Sequence, residues 1–235
     1  NQLTSIDSNT FNGLKSLTLL DLSLNQLTSI ESSMFKDLGN LTNLDLSLNE
    51  LTSIEPNMFR NLDNLTFLYL HCNKLTSIDP NTFSNLKNLG HLNIGYNQLT
   101  WIDPNTFSNL KSLFRLLIYN NQLTCIDPNT FSNLRQLNRL DLSSNRLTSI
   151  DSKIFSHLEK LTSLIIHKNQ INSIDSKAFS NLHDLHELFI YDNPITQTRN
   201  SFLLDSKALR GLRKLRFLEI VNNSTNSIED FRDEM

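Results

Sequence analysis

LDLSLNQLTSI, residues 20–30, is the stretch that the rest of the chain copies. Its asparagine, Asn25, returns as Asn49, Asn73, Asn97, Asn121, Asn145, Asn169 and Asn193, every 24 residues. Asn1 lies one period upstream, and Asn223 continues the series after an insertion of 6 residues. A phenylalanine keeps the same beat at Phe11, Phe35, Phe59, Phe83, Phe107, Phe131, Phe155 and Phe179. A fixed period outranks local propensity, because a unit this small cannot bury its apolar face alone and must stack on its neighbours. The chain is therefore expected to be a solenoid with one continuous core.

Residues 41–64 show what one unit does. Leu41, Leu44, Leu46, Leu51, Ile54, Phe59 and Leu62 are its apolar positions, and the other repeats return apolar residues at nearly all of them. Leu44-Asp45-Leu46 alternates with period two, as a strand with one buried face does. Such strands are expected around 19–23, 43–47, 67–71, 91–95, 115–119, 139–143, 163–167, 187–191 and 217–221. Asn49 stands at an otherwise apolar interior slot, where an unbonded polar group would cost about 1–3 kcal/mol. Its amide has donors and acceptors for backbone groups of its own turn and the next. The stacked asparagines, Asn25 to Asn193 and then Asn223, are expected to form a structural ladder. Pro56, Pro80, Pro104 and Pro128 share one place after it, suited to a turn or the first turn of a short helix.

LxxLxLxxNxLxxI followed by FxxL at this period resembles the leucine-rich repeat family. The resemblance covers essentially the whole chain and is nearest to the animal extracellular type of Toll-like receptor ectodomains, Slit and related adhesion and matrix proteins. It implies an α/β right-handed horseshoe, with a parallel sheet on the concave face and short helices, 3₁₀ turns and loops on the convex face. It implies a single domain over 1–235, with about nine full repeats, a partial first one and an irregular insertion at 194–214. Cysteine-rich caps are absent from the ends, so a fragment of a longer protein is expected. The implied function is non-catalytic: a protein ligand held on the concave face by an extracellular or cell-surface receptor, adhesion or innate-immune-type protein. An enzyme inhibitor is the alternative using the same face. A structural or adhesive scaffold would instead self-associate through its convex side or ends.

Composition narrows the field. A net charge of −3 disfavours nucleic acid as a partner. No run of 18 apolar residues is present to span a membrane. Cys72 and Cys125 are two repeats and five positions apart. Two turns at about 4.8 Å place them near 10 Å, beyond the roughly 7 Å a disulfide spans, so free thiols are expected. The five glycines build no phosphate-cradling loop, and neither a Gly-x-Ser-x-Gly elbow nor an HExxH occurs. No cofactor is expected. Sequons at Asn40, Asn64 and Asn222 permit glycosylation in a secretory setting. A basic cluster at 207–216 offers a further place for an anionic glycan or an acidic partner, with a solvated helix face as the plainer reading.

Positions that return in every repeat are explained by the fold, so function is sought where repeats disagree. The outward strand positions carry Asp and Ser in the near-identical repeats, which favours a solubilising role. Elsewhere they carry Phe67, Tyr69, His71, His91, Arg115, Leu117, Tyr119, Ile165, His167, Phe189 and Tyr191. These are the candidate ligand-binding residues, expected to face solvent as an apolar patch of the kind that marks interaction sites. Sideways packing as cross-strand pairs is the competing explanation. Tyr119 and Tyr191 are expected to be removable at little cost in stability. His71, His91 and His167 are too dispersed for one ion with bonds of about 2 Å, so no metal site is expected.

Overall fold

Alternation in Leu44-Asp45-Leu46 becomes a one-sided strand: both leucines are fully buried, and Asp45 is half-buried on the opposite face. The computed structural model describes residues 1–197, 206–209 and 211–220. Its strands are β1 (Leu19–Asp21), β2 (Asn43–Asp45), β3 (Phe67–Tyr69), β4 (His91–Asn93), β5 (Arg115–Leu117) and β6 (Arg139–Asp141). They continue with β7 (Ser149–Ile150), β8 (Ser163–Ile165), β9 (Ser173–Ile174), β10 (Glu187–Phe189) and β11 (Phe217–Glu219). Nine of them form one parallel sheet in the order β1-β2-β3-β4-β5-β6-β8-β10-β11. From Leu19 opposite Asn43 to Ser163 opposite Glu187, neighbours pair one 24-residue period apart. Glu187 then pairs with Phe217, 30 residues on, so the insertion is taken up between strands and the register does not slip.

The strands are three residues long rather than five, yet their hydrogen bonding runs further. Leu22 N–H donates to Asp45 O at 2.8 Å, and Leu24 N–H donates to Ser47 O at 3.2 Å. What ends each strand is the residue before the ladder asparagine. Leu24, Leu48, Cys72, Tyr96, Asn120, Ser144, Lys168 and Asp192 all adopt left-handed backbone, with φ between 48° and 55°. None is glycine, and that conformation costs an L-residue about 1–2 kcal/mol.

The ladder offsets the strain. Asn49 Oδ1 accepts Leu27 N–H at 3.0 Å, and its Nδ2 donates to Leu22 O at 2.9 Å, both in the preceding repeat. The same amide reaches Leu46 O and Ser47 O of its own turn, at 3.3 and 3.1 Å. Asn73, Asn97, Asn121, Asn145, Asn169 and Asn193 repeat the pattern. The amides thus tie each turn to the one before it, not the one after. Asn25 bonds Leu3 N–H and its own turn, and Asn223 lies outside the described residues.

Phe35 to Phe179 form the convex spine, each at most 1% exposed. Their rings stack at 6.2–6.4 Å between centroids, whereas parallel strands lie about 4.8 Å apart. Wider spacing on the phenylalanine side bends the coil toward its sheet. The outer segments are mostly turns, with one 3₁₀ helix at Ser32–Phe35 and short helices α1 (Pro194–Gln197) and α2 (Ser206–Leu209) at the insertion. The β7–β9 pair was not expected. It forms in the two repeats where Ser152 and Ser176 stand at the place that proline holds in four earlier repeats. Asp175 N–H then bonds Ile150 O at 2.9 Å.

Candidate functional site

Each strand offers outward positions to the concave face, and register aligns them in rows across the sheet. One row runs Leu19, Asn43, Phe67, His91, Arg115, Arg139, Ser163, Glu187 and Phe217. The next runs from Asp21 and Asp45 through Tyr69, Asn93 and Leu117 to Asp141, Ile165, Phe189 and Glu219. Asp and Asn in this second row are structural. Asp21, Asp45, Asn93 and Asp141 accept the N–H two residues on, at 2.8–3.0 Å, closing the bend after the strand. The Ser23 bonds hold the Asp21 carboxyl below its ordinary pKa, whereas burial pushes Asp141 up. A solubilising role does not describe these side chains.

The predicted site residues gather into aromatic groups. Tyr69 meets His91 and His71 edge-on at 5.2 and 6.2 Å, and Phe67 lies 6.1 Å from His91. His167 and Tyr191 stack face to face at 4.3 Å, and Phe189 packs on Phe217 at 5.0 Å. Arg115 and Leu117 lie between the two groups on β5. None of the candidate residues belongs to the contiguous hydrophobic core cluster, but they are less open than expected. Ile165, His91 and Tyr191 are only 6%, 8% and 9% exposed, and the others are half-buried. Neighbouring rings cover them, so sideways packing and surface display occur together. Removing Tyr191 would strip a stacked partner from His167, a kind of contact worth about 0.5–1.5 kcal/mol.

Tyr119 is set in place by its neighbours. A Cβ at Gly95 would lie 2.6 Å from the Tyr119 ring, so only glycine leaves room for the ring against that backbone. Tyr96 meets Tyr119 edge-on at 5.4 Å. Tyr96 is 53% exposed and was missed by sequence reasoning, because it occupies the left-handed slot rather than a strand position. It joins Tyr119, Arg139, His167, Phe189 and Tyr191 around one hollow of the concave face. Burial lowers the pKa of His71 and, with Arg115, lowers that of His91 to about 4, and burial raises Tyr69 and Tyr119. The rings are neutral at pH 7.

The remaining candidates fall elsewhere. Asn40 and Asn64 are exposed on the flank, where Nδ2 of each donates at 2.8 Å to Lys15 O and Gly39 O of the preceding repeat. Glycosylation would leave one N–H on that nitrogen. Asn222 and the Arg210 of the basic cluster lie outside the described residues, and Lys214 is paired with Asp184 at 2.5 Å. Cys72 and Cys125 are free thiols. Among the described residues, no group of His, Cys, Asp and Glu is arranged to hold a metal ion.

A model of the BspA-type leucine-rich repeat region matches residues 1–114, and one of the leucine-rich repeat matches segments between 97 and 225. The chain belongs to the leucine-rich repeat family. Solved leucine-rich repeat structures agree. A chain of the Toll–Spatzle complex, described as a molecular hub in Drosophila development and innate immunity, is 26% identical, with a TM-score of 0.83 over 94% of this chain. A chain of the TLR13–ssRNA13 complex is 29% identical, with a TM-score of 0.68 over 93% of this chain. The present repeats span 30% and 34% of those two chains. No curated protein matches in sequence.

Proposed function

We propose that the concave face is a non-catalytic recognition surface for a protein ligand, set in an extracellular or cell-surface protein. The observation that carries this reading is the display of Tyr69, Leu117, Phe189 and their neighbours on the open face, outside the core. Aromatic residues and arginine are the types that anchor interfaces. The chains seen with Spatzle and with ssRNA13 offer two ligand classes by similarity. A protein is favoured here because Asp21, Asp45, Glu187 and Glu219 sit on the face and would repel a polyanion crossing it.

The test is affinity capture of the partner from extracellular fluid, followed by a comparison of variants. Leu117→Asp with Phe189→Asp is expected to abolish capture, while Lys111→Glu on an exposed outer turn keeps it. Equal capture by the concave double variant, shown folded by circular dichroism, refutes the surface.

A further inference from the structure

Four consecutive strands place His91, Arg115, Arg139 and Ser163 side by side in one row of the concave face. At about 4.8 Å per strand the row is roughly 14 Å long. Two arginines directly opposite each other on neighbouring strands repel, an arrangement the fold alone gives no reason to keep. Among the described residues neither guanidinium has an ion-pair partner within 4.0 Å. Asp141, on the same strand as Arg139 and within reach of its field, accepts the N–H and hydroxyl of Ser143 on Oδ1, at 2.9 and 2.6 Å. The flanks repeat the theme of unmet bonding. Among the described residues the hydroxyl of Ser163, 5% exposed, and the Nε2 of His91, 8% exposed, have no hydrogen-bond partner. Unbonded buried atoms also occur at Thr82, Thr106 and Thr130, so what singles out this row is its guanidinium pair.

We propose that this row is a carboxylate-binding strip, taking an Asp- or Glu-bearing segment of the protein partner. The proposal rests on the concave face being the recognition surface and adds the chemistry of what is recognised. Each guanidinium presents a planar fork of donors that matches a carboxylate, and adjacent forks grip one carboxylate or two successive ones. Ser163 and His91, both buried, wall the two ends of the strip. The strip stops at Glu187, the next residue of the row, and Asp45 and Glu219 lie on the same face to either side. A short acidic segment fits between these carboxylates, whereas a phosphate chain continuing across the face meets them.

Fluorescence anisotropy with three labelled probes decides it: an extended peptide alternating Glu and Tyr, its Gln counterpart, and a single-stranded oligouridylate. The Glu peptide is expected to bind, and the Gln peptide to bind roughly tenfold or more weakly. R115Q/R139Q is expected to weaken the Glu peptide by a similar factor. R135Q/R146Q removes the same charge from exposed positions outside the sheet rows and changes affinity by no more than about twofold. Absence of Glu-peptide binding, equal losses in the two double variants, or tighter binding of the oligouridylate through the same arginines overturns the proposal. Full partner capture by R115Q/R139Q, beside loss in Leu117→Asp with Phe189→Asp, refutes the strip and leaves the recognition surface standing.

Discussion

Replacing Asn121 by alanine tests the ladder at its centre, and the structure sets the size of the effect. Asn121 Oδ1 accepts Leu99 N–H at 3.0 Å, and Nδ2 donates to Ile94 O and Ile118 O at 3.0 and 3.1 Å. The two carbonyls have a second donor each, since Asn97 Nδ2 reaches Ile94 O at 3.2 Å and Asn145 Nδ2 reaches Ile118 O at 3.0 Å. Leu99 N–H has no substitute, and Leu99 is fully buried. The cost is therefore that of one orphaned interior donor, about 2 kcal/mol and no more than about 3. Asn25→Ala is the matched control. Its Oδ1 accepts Leu3 N–H at 3.3 Å in an exposed setting, so water replaces the amide and the cost stays under about 1 kcal/mol. Amide hydrogen exchange reads the difference directly. Leu99 N–H should exchange roughly 30-fold faster in N121A, whereas Leu75 N–H, held by Asn97, changes far less. Retained protection at Leu99, or an equal loss of stability in N25A, refutes the argument that these asparagines act through the preceding repeat.

Two further outcomes follow from buried groups. Thr106 is 2% exposed and its hydroxyl has no partner among the described residues, while Met58, Ile154 and Ala178 occupy the same slot in other repeats. Thr106→Val removes an unpaid desolvation and should stabilise by about 1 kcal/mol, raising Tm by roughly 2–4 °C in calorimetry; an unchanged or lower Tm rejects it. His91, with its pKa lowered to about 4 from 6.5, is neutral when folded and protonates more readily when unfolded. Stability present above pH 6.5 is thus lost as pH falls toward 4, by about 2 kcal/mol once partial solvent screening is allowed for. Urea midpoints of His91→Gln should fall less steeply over that window, and parallel pH profiles would remove His91 as a cause.

The periodic part of this molecule was readable because every repeat states it again. Asn25 to Asn193, the phenylalanine spine and the Leu-x-Leu strands need only spacing and apolarity to be placed. The direction of the ladder was not readable, since a side-chain amide carries no mark of which neighbour it serves. Nor were the left-handed residues: Leu24, Cys72 and Lys168 have no propensity for that backbone and adopt it because strand and ladder leave no alternative. Alternation along each strand assigns Tyr69, Leu117 and Phe189 to the face opposite the buried leucines. It could not show that His167 and Tyr191 stack or that Ile165 is covered, because those facts depend on ring positions across strands.

Variation among near-copies could be drift, and the backbone bonds argue against that for the central repeats. Where Asp or Asn stands in the second concave row, it satisfies the N–H two residues on. Tyr69 and Leu117 cannot, and among the described residues the N–H groups of His71 and Tyr119 have no acceptor. Each exchange gives up a bond of about 0.5–1.5 kcal/mol to put an apolar side chain on an open face. Tyr119 requires in addition that residue 95 lack a Cβ, where aligned repeats carry Ser23, Ser47 and Ser143. Phe114 makes the same demand of Gly90, whose Cβ would lie 2.5 Å from its ring. Both glycines sit in one repeat and both rings in the next, flanking Arg115 and Leu117. A change that weakens the local backbone and needs a matching change next door is costly for the fold alone, and its result is a floor of rings around Arg115, which has no ion-pair partner among the described residues.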